Sequence, residues 1–79
     1  NVTEGNLYRV IYIKLTERYP DMTSGQVKFC ALLKLNFSTK EIAQCSHISV
    51  RSVEMKKSRL RKQLNIPSEV DLNNWMMNL

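Results

Sequence analysis

The chain has 79 residues, with 12 Lys and Arg against 7 Asp and Glu and a formal charge of +5, giving a pI near 9.5. That length allows one domain at most, and no apolar run reaches the ~18 residues needed to span a bilayer. The basic balance suits nucleic acid or an anionic membrane surface as a partner. Cys30 and Cys45 form no CxxC pair and the chain has one His, so they do not make a zinc motif. Both cysteines are expected as free thiols, buried or half-buried, in a reducing compartment. Gly and Pro are scarce (two of each) and the apolar spacing is helical almost throughout, which predicts an all-α domain. No signal-peptide pattern is read at the start. Because the first residue is Asn1 and not Met, the chain is expected to be a processed product or a piece of something longer.

Residues 1–6 are polar and expected to fray. A helix is predicted over about 7–18. Leu7, Ile11 and Leu15 follow one helical line, and Tyr8, Tyr12 and Tyr19 follow an adjacent one, so a broad apolar face is expected. VIYI at 10–13 also suits a strand, but a lone strand would have no partner here. The tyrosines read as packing residues. Pro20 ends the element, since the residue before Pro avoids helical angles.

Thr23 is the next expected N-cap, with Gln26 three residues on as its capping-box partner. The helix it opens runs to about Leu35, with Val27, Cys30, Ala31, Leu33 and Leu35 as apolar positions. Phe29 and Leu32 widen that face. Asn36 can take the left-handed conformation that closes a helix, with Phe37 folding back as the following apolar contact. Ser38 and Glu41 form a second capping box, and a short helix follows over about 39–45. Its free N–H groups, with Ser38, Thr39 and Lys40, make a possible phosphate seat.

Ser46-His47 then makes a tight turn. His is among the non-Gly residues enriched at positive φ, so His47 is read as a turn residue. No second His, nucleophile–base pair or carboxylate pair stands near it, and the chain is read as no enzyme, with no cofactor and no metal. Ile48 plugs the space beneath the turn and Ser49 is an N-cap. A helix is predicted over about 50–64. At 100° per residue, with Val53 at zero, Leu60 falls near −20° and Leu64 near +20°. These three make a narrow apolar stripe, flanked by Lys56 and Lys57. Arg51, Met55, Ser58 and Lys62 lie on the opposite face, with Glu54 and Arg59 at its edges. Half of the chain's cations lie between Arg51 and Lys62, against the single acid Glu54. A cationic helix behind a three- or four-residue turn is the pattern of a helix-turn-helix DNA reader; without the turn, a solvated face would be the simpler reading. Asn65 is a plausible left-handed cap. Ser68 is expected to open a last helix, with Asp71 in its first turn. Val70, Leu72, Trp75, Met76 and Leu79 supply its apolar faces, with Trp75 in the core and Met77 at the surface.

Several stretches together resemble the LuxR/NarL-type helix-turn-helix family. They are Leu32-Leu33-x-Leu35, Ser38-Thr39-Lys40-Glu41-Ile42-Ala43, Ile48-Ser49-x-x-Ser52-Val53-Glu54, Leu60 and Leu64. The resemblance covers about residues 19–64 and, more loosely, the last helix. Tyr-Pro-Asp-Met-Thr at 19–23, Cys-Ala-Leu-Leu at 30–33 and Ser-Val-Glu-Met at 52–55 are similar to a bacterial subgroup fused behind large sensor or repeat modules. The resemblance implies a bundle of four such helices over 23–79, with its motif at 39–64. One extra helix lies in the extension 1–22. It further implies a cytoplasmic transcriptional regulator that binds double-stranded DNA, with a possible homodimer on DNA and no membrane insertion. Carried over by position, Glu54, Met55 and Ser58 approach base edges, joined by Arg51 on the same outer face. Ser38, Thr39, Lys40, Ser49, Ser52, Lys56, Lys57, Arg59 and Lys62 are phosphate candidates. Glu54 could accept from a cytosine amino group or merely orient Arg51 or Lys57. Ser46 stands where the family has Leu, which predicts looser packing under the turn. Gln63 stands for Lys, and Gln26 for Glu.

A sigma-factor region 4 shares the motif and is the nearest DNA-binding alternative. In a different class, the chain would be a protein-interaction or dimerisation module that uses the basic helix or the Trp75/Met76/Met77 end, since fold does not fix function.

Overall fold

A computed structural model describes the backbone of residues 2–79 and side chains from Tyr8 onward. Asn1 and the Leu7 side chain, both part of the expectations above, lie outside the described residues. The described residues are all-α, with five helices among them: α1 (Val2–Arg18), α2 (Ser24–Lys34), α3 (Thr39–Ser46), α4 (Val50–Leu64) and α5 (Leu72–Met77).

Helix α1 starts well before residue 7, so the expected fraying of residues 2–6 is corrected. An interior glycine such as Gly5 costs a helix about 1 kcal/mol relative to alanine, which weakens it without stopping it. Residues 10–13 are helical. Ile11 and Leu15 are fully buried, while Val10, Tyr12 and Ile13 are exposed. The inward face is therefore narrower than expected, and only Tyr8 and Tyr19 of the three tyrosines pack against the core.

Three helix exits share one design. Asn36, His47 and Asn65 have φ of 63°, 56° and 57°. Each is followed by an apolar residue whose N–H reaches back to the carbonyl five positions earlier: Phe37 to Leu32 (3.1 Å), Ile48 to Ala43 (3.1 Å) and Ile66 to Arg61 (2.9 Å). This is the Schellman closure, in which a left-handed residue satisfies the last helical carbonyls and swings the next apolar side chain inward. Phe37, Ile48 and Ile66 accordingly join or pack against the core. The entrances are equally local. Thr23 and Gln26 form a complete capping box, as do Ser38 and Glu41, and the Ser49 side chain accepts from the Ser52 N–H.

The core draws on every helix, with Ile11, Leu15, Val27, Leu33, Ile42, Val53, Leu72 and Met76 among its buried side chains. Helix α2 is its centre, packed on by α1 and α5, while α3 crosses α4. Two side chains fasten α5 to the rest. Lys34 Nζ donates to the carbonyls of Met76 (3.4 Å) and Met77 (3.3 Å), and Asn73 Nδ2 donates to that of Phe37 (2.8 Å).

Two expectations fail at helix ends. Leu35 is 51 % exposed, because it lies past the last turn of α2 and points away from the line of Val27, Cys30 and Leu33. The last helix begins at Leu72 and not near Ser68, and Asp71, at its N-cap, makes no side-chain capping bond. Residues 67–70 are held in a turn by Val70 N–H to the Pro67 carbonyl (3.1 Å). Arg61 locks that turn from α4, donating through Nη1 to the carbonyls of Pro67 (2.9 Å) and Val70 (2.6 Å).

Cys45 is exposed, against the expectation of burial, whereas Cys30 is buried. Burial pushes the Cys30 thiol up from 9.0 to about 12, since a thiolate loses its hydration there. The folded state keeps this proton after the unfolded state has lost it. Stability from Cys30 is therefore fully present below about pH 9 and is lost as pH rises towards 12, at up to about 1.4 kcal/mol per pH unit. Urea melts from pH 8 to 11 should show this loss. Its share from Cys30 should vanish in Cys30→Ala, and equal slopes in the two proteins would refute it.

Candidate nucleic-acid interface

The rotation of α4 is fixed by three buried side chains, Val53, Leu60 and Leu64. With those pointing at the core, helical geometry sends positions 51, 54, 55, 58 and 62 the other way. The structure follows that rule. Arg51, Glu54, Met55, Ser58 and Lys62 are exposed, as are Lys56 and Arg59 at the flanks. All four candidate base contacts thus share one outward face. Met55 stands out on it as a large apolar side chain, 48 % exposed among cations.

The turn that presents this helix is built by His47. Its left-handed backbone ends α3 and lets Ser49 open α4 two residues later. Ala43 is buried on α3, which packs against α4. A methyl side chain there lets two helices approach closely, as ridge-into-groove crossing requires.

The phosphate candidates divide by what they already touch. Lys57 is partly buried and donates to Thr39 Oγ1 (3.1 Å), which brings two candidates together and ties α4 to the start of α3. Lys57 is therefore turned towards α3. Ser49 Oγ accepts from the Ser52 N–H (3.1 Å) and donates to Ser52 Oγ (3.0 Å), leaving the Ser52 hydroxyl proton to face outward partners. Ser38 Oγ accepts from the Glu41 N–H (3.1 Å). A hydroxyl keeps its donor after accepting one bond, so Ser38 can still donate to a phosphate. The seat at the start of α3 is weaker than the sequence implied. Glu41 Oε1 accepts from the Ser38 N–H (2.8 Å), and a carboxylate at that end repels an anion. Lys40, exposed beside it, offsets part of that charge.

Not every cation of the run belongs to this face. Arg61 points at the 67–70 turn, so it is structural. At 100° per residue Arg61 falls near +80° on α4, across the helix from Arg59 near −120°, but its partners are carbonyls of a later loop, which that spacing does not give. Gln26 and Gln63 depart from the resembled pattern separately in sequence but meet in space. Gln26 Nε2 donates to Gln63 Oε1 (2.6 Å). A neutral amide link therefore joins α2 to α4 where the resembled pattern has a Glu and a Lys.

At the other end of the domain, Met76 is fully buried and Trp75 packs partly against the core. Only Met77 of that trio is exposed. Among the described residues, no group of three or more His, Cys, Asp or Glu could hold a metal ion, and no helix is long and apolar enough to cross a membrane. No known family model matches the chain, and neither a curated protein nor a solved structure matches it.

Proposed function

We propose that this domain is the DNA-binding effector part of a bacterial transcriptional regulator, with α4 lying in the major groove of duplex DNA. The observation that carries this reading is the outward face of α4, where Arg51, Lys56, Arg59 and Lys62 surround Met55 and Ser58. A 15-residue helix presented rigidly across a tight turn has the dimensions and charge of a groove-reading element. On this reading the cations supply affinity by releasing counterions from phosphates, while Glu54, Met55 and Ser58 supply sequence preference. The domain performs no reaction and needs no cofactor. On this reading it works in the cytoplasm, joined to upstream sensor or repeat domains of the same chain, as a pair of copies on paired half-sites.

The test is fluorescence anisotropy of the domain against a random-sequence duplex pool at several salt concentrations. Each phosphate neutralised contributes about −0.9 to the slope of log affinity against log salt. Four outward cations therefore predict a slope of roughly −3 to −4, and selection from the pool should enrich a half-site. An absence of binding at low salt would overturn the reading.

A further inference from the structure

A groove runs between α2 and α4 on the flank of the proposed duplex face. It consists of two adjoining hollows, of about 210 and 260 Å³, that share Gly25, Phe29 and Lys56. Its floor is apolar: Phe29 and Leu60 in one half, Phe29, Leu32 and Ile48 in the other. Among the described residues its charged lining is entirely cationic, from Lys28, Lys56 and Arg59, with no carboxylate. The groove is open above Gly25, where an added Cβ would meet nothing nearer than Thr23 Oγ1 at 3.9 Å. Ser46, at the far end, leaves unfilled the space under the turn that a larger side chain would occupy.

We propose that this groove docks an acidic segment of a partner protein, which seats one bulky apolar side chain on Phe29, Leu32 and Leu60 and sets its carboxylates on Lys28, Lys56 and Arg59. An apolar floor alone would take many occupants, and cations alone would take DNA. The combination favours a peptide, because a duplex backbone offers nothing to an apolar floor whereas an acidic peptide with an apolar anchor satisfies both features. Lys56 and Arg59 also flank the proposed duplex face, so a docked segment competes with DNA. That competition rests on the DNA-reading proposal; the docking itself does not.

The probe is a short fluorescein-labelled peptide of Asp and Glu around one Phe. Two controls accompany it, one with the Phe changed to Ala and one with the acids changed to Asn and Gln. Saturable binding of the first peptide is expected, with each control weaker by roughly ten-fold or more. Ser46→Leu fills the hollow without changing charge, so it should abolish peptide binding, raise the melting temperature and leave duplex binding intact. Lys28→Gln should weaken the peptide and spare the duplex, and it serves equally if Ser46→Leu fails to fold. Equal binding of the Phe and Ala peptides would overturn the proposal, as would no binding at low salt. So would a parallel loss of peptide and duplex binding in Lys28→Gln, which would make the groove part of the DNA surface. The peptide readout needs no DNA, so its failure is distinguishable from failure of the DNA-reading proposal.

Discussion

Leu33→Ala should remove about 3 kcal/mol of stability, from a domain whose total is about 4–12 kcal/mol by its length. Leu33 is fully buried on α2, the helix on which both α1 and α5 pack. The truncation thus loses transfer free energy and leaves a cavity that three helices would have to collapse into. Because the surrounding exits are closed by fixed Schellman geometry, that collapse is incomplete, so a cavity term adds to the lost transfer free energy. In urea, with a slope near 1 kcal/mol per M for a chain of this size, the midpoint should fall by roughly 2–3 M. Circular dichroism would show it directly. A fall of under 1 M with an unchanged slope would mean that the core is centred elsewhere.

The second large effect concerns the outward face. Arg59→Ala with Lys62→Ala should lower affinity for random duplex roughly thirty-fold near physiological salt and flatten the salt slope by about 1.8. Both residues are exposed and lie off the Val53–Leu60–Leu64 stripe, so the thermal melt should barely move. The double change therefore separates binding from folding. Unchanged affinity and slope would move DNA away from this side of α4. Loss of sequence preference with unchanged slope would place these two cations at bases instead of phosphates.

The local parts of this fold were readable because their causes are local. Thr23, Ser38 and Ser49 cap helices through bonds made within three residues. Asn36, His47 and Asn65 close them by their own backbone geometry. The stripe of Val53, Leu60 and Leu64 follows from helical spacing alone. What escaped the reading depends on partners distant in sequence. The start of α5 was misplaced because Arg61 holds the carbonyls of Pro67 and Val70 in a turn, and nothing near Ser68 announces that. Leu35 was expected inside because its type is apolar, although its direction on the helix is wrong. Gln26 and Gln63 looked like two unrelated departures until folding brought them together. For the candidate site, the outward residues of α4 were legible from periodicity. The inward use of Arg61, the bond from Lys57 to Thr39 and the groove under Ser46 were not. Each of these depends on how α4 meets elements that spacing cannot position.

The Gln26–Gln63 link has a practical consequence for measurement. Mobile ions weaken attraction between exposed full charges, but an amide-to-amide bond carries no net charge for them to screen. The same holds for the serine and threonine caps and for Asn73 on the Phe37 carbonyl. Raising the ionic strength should accordingly strip ligands from the outer surface while these neutral joints stay closed. A salt titration of this domain then acts as a clean ruler, in which the observed release counts ions displaced from the ligand and is not blurred by loosening of the protein.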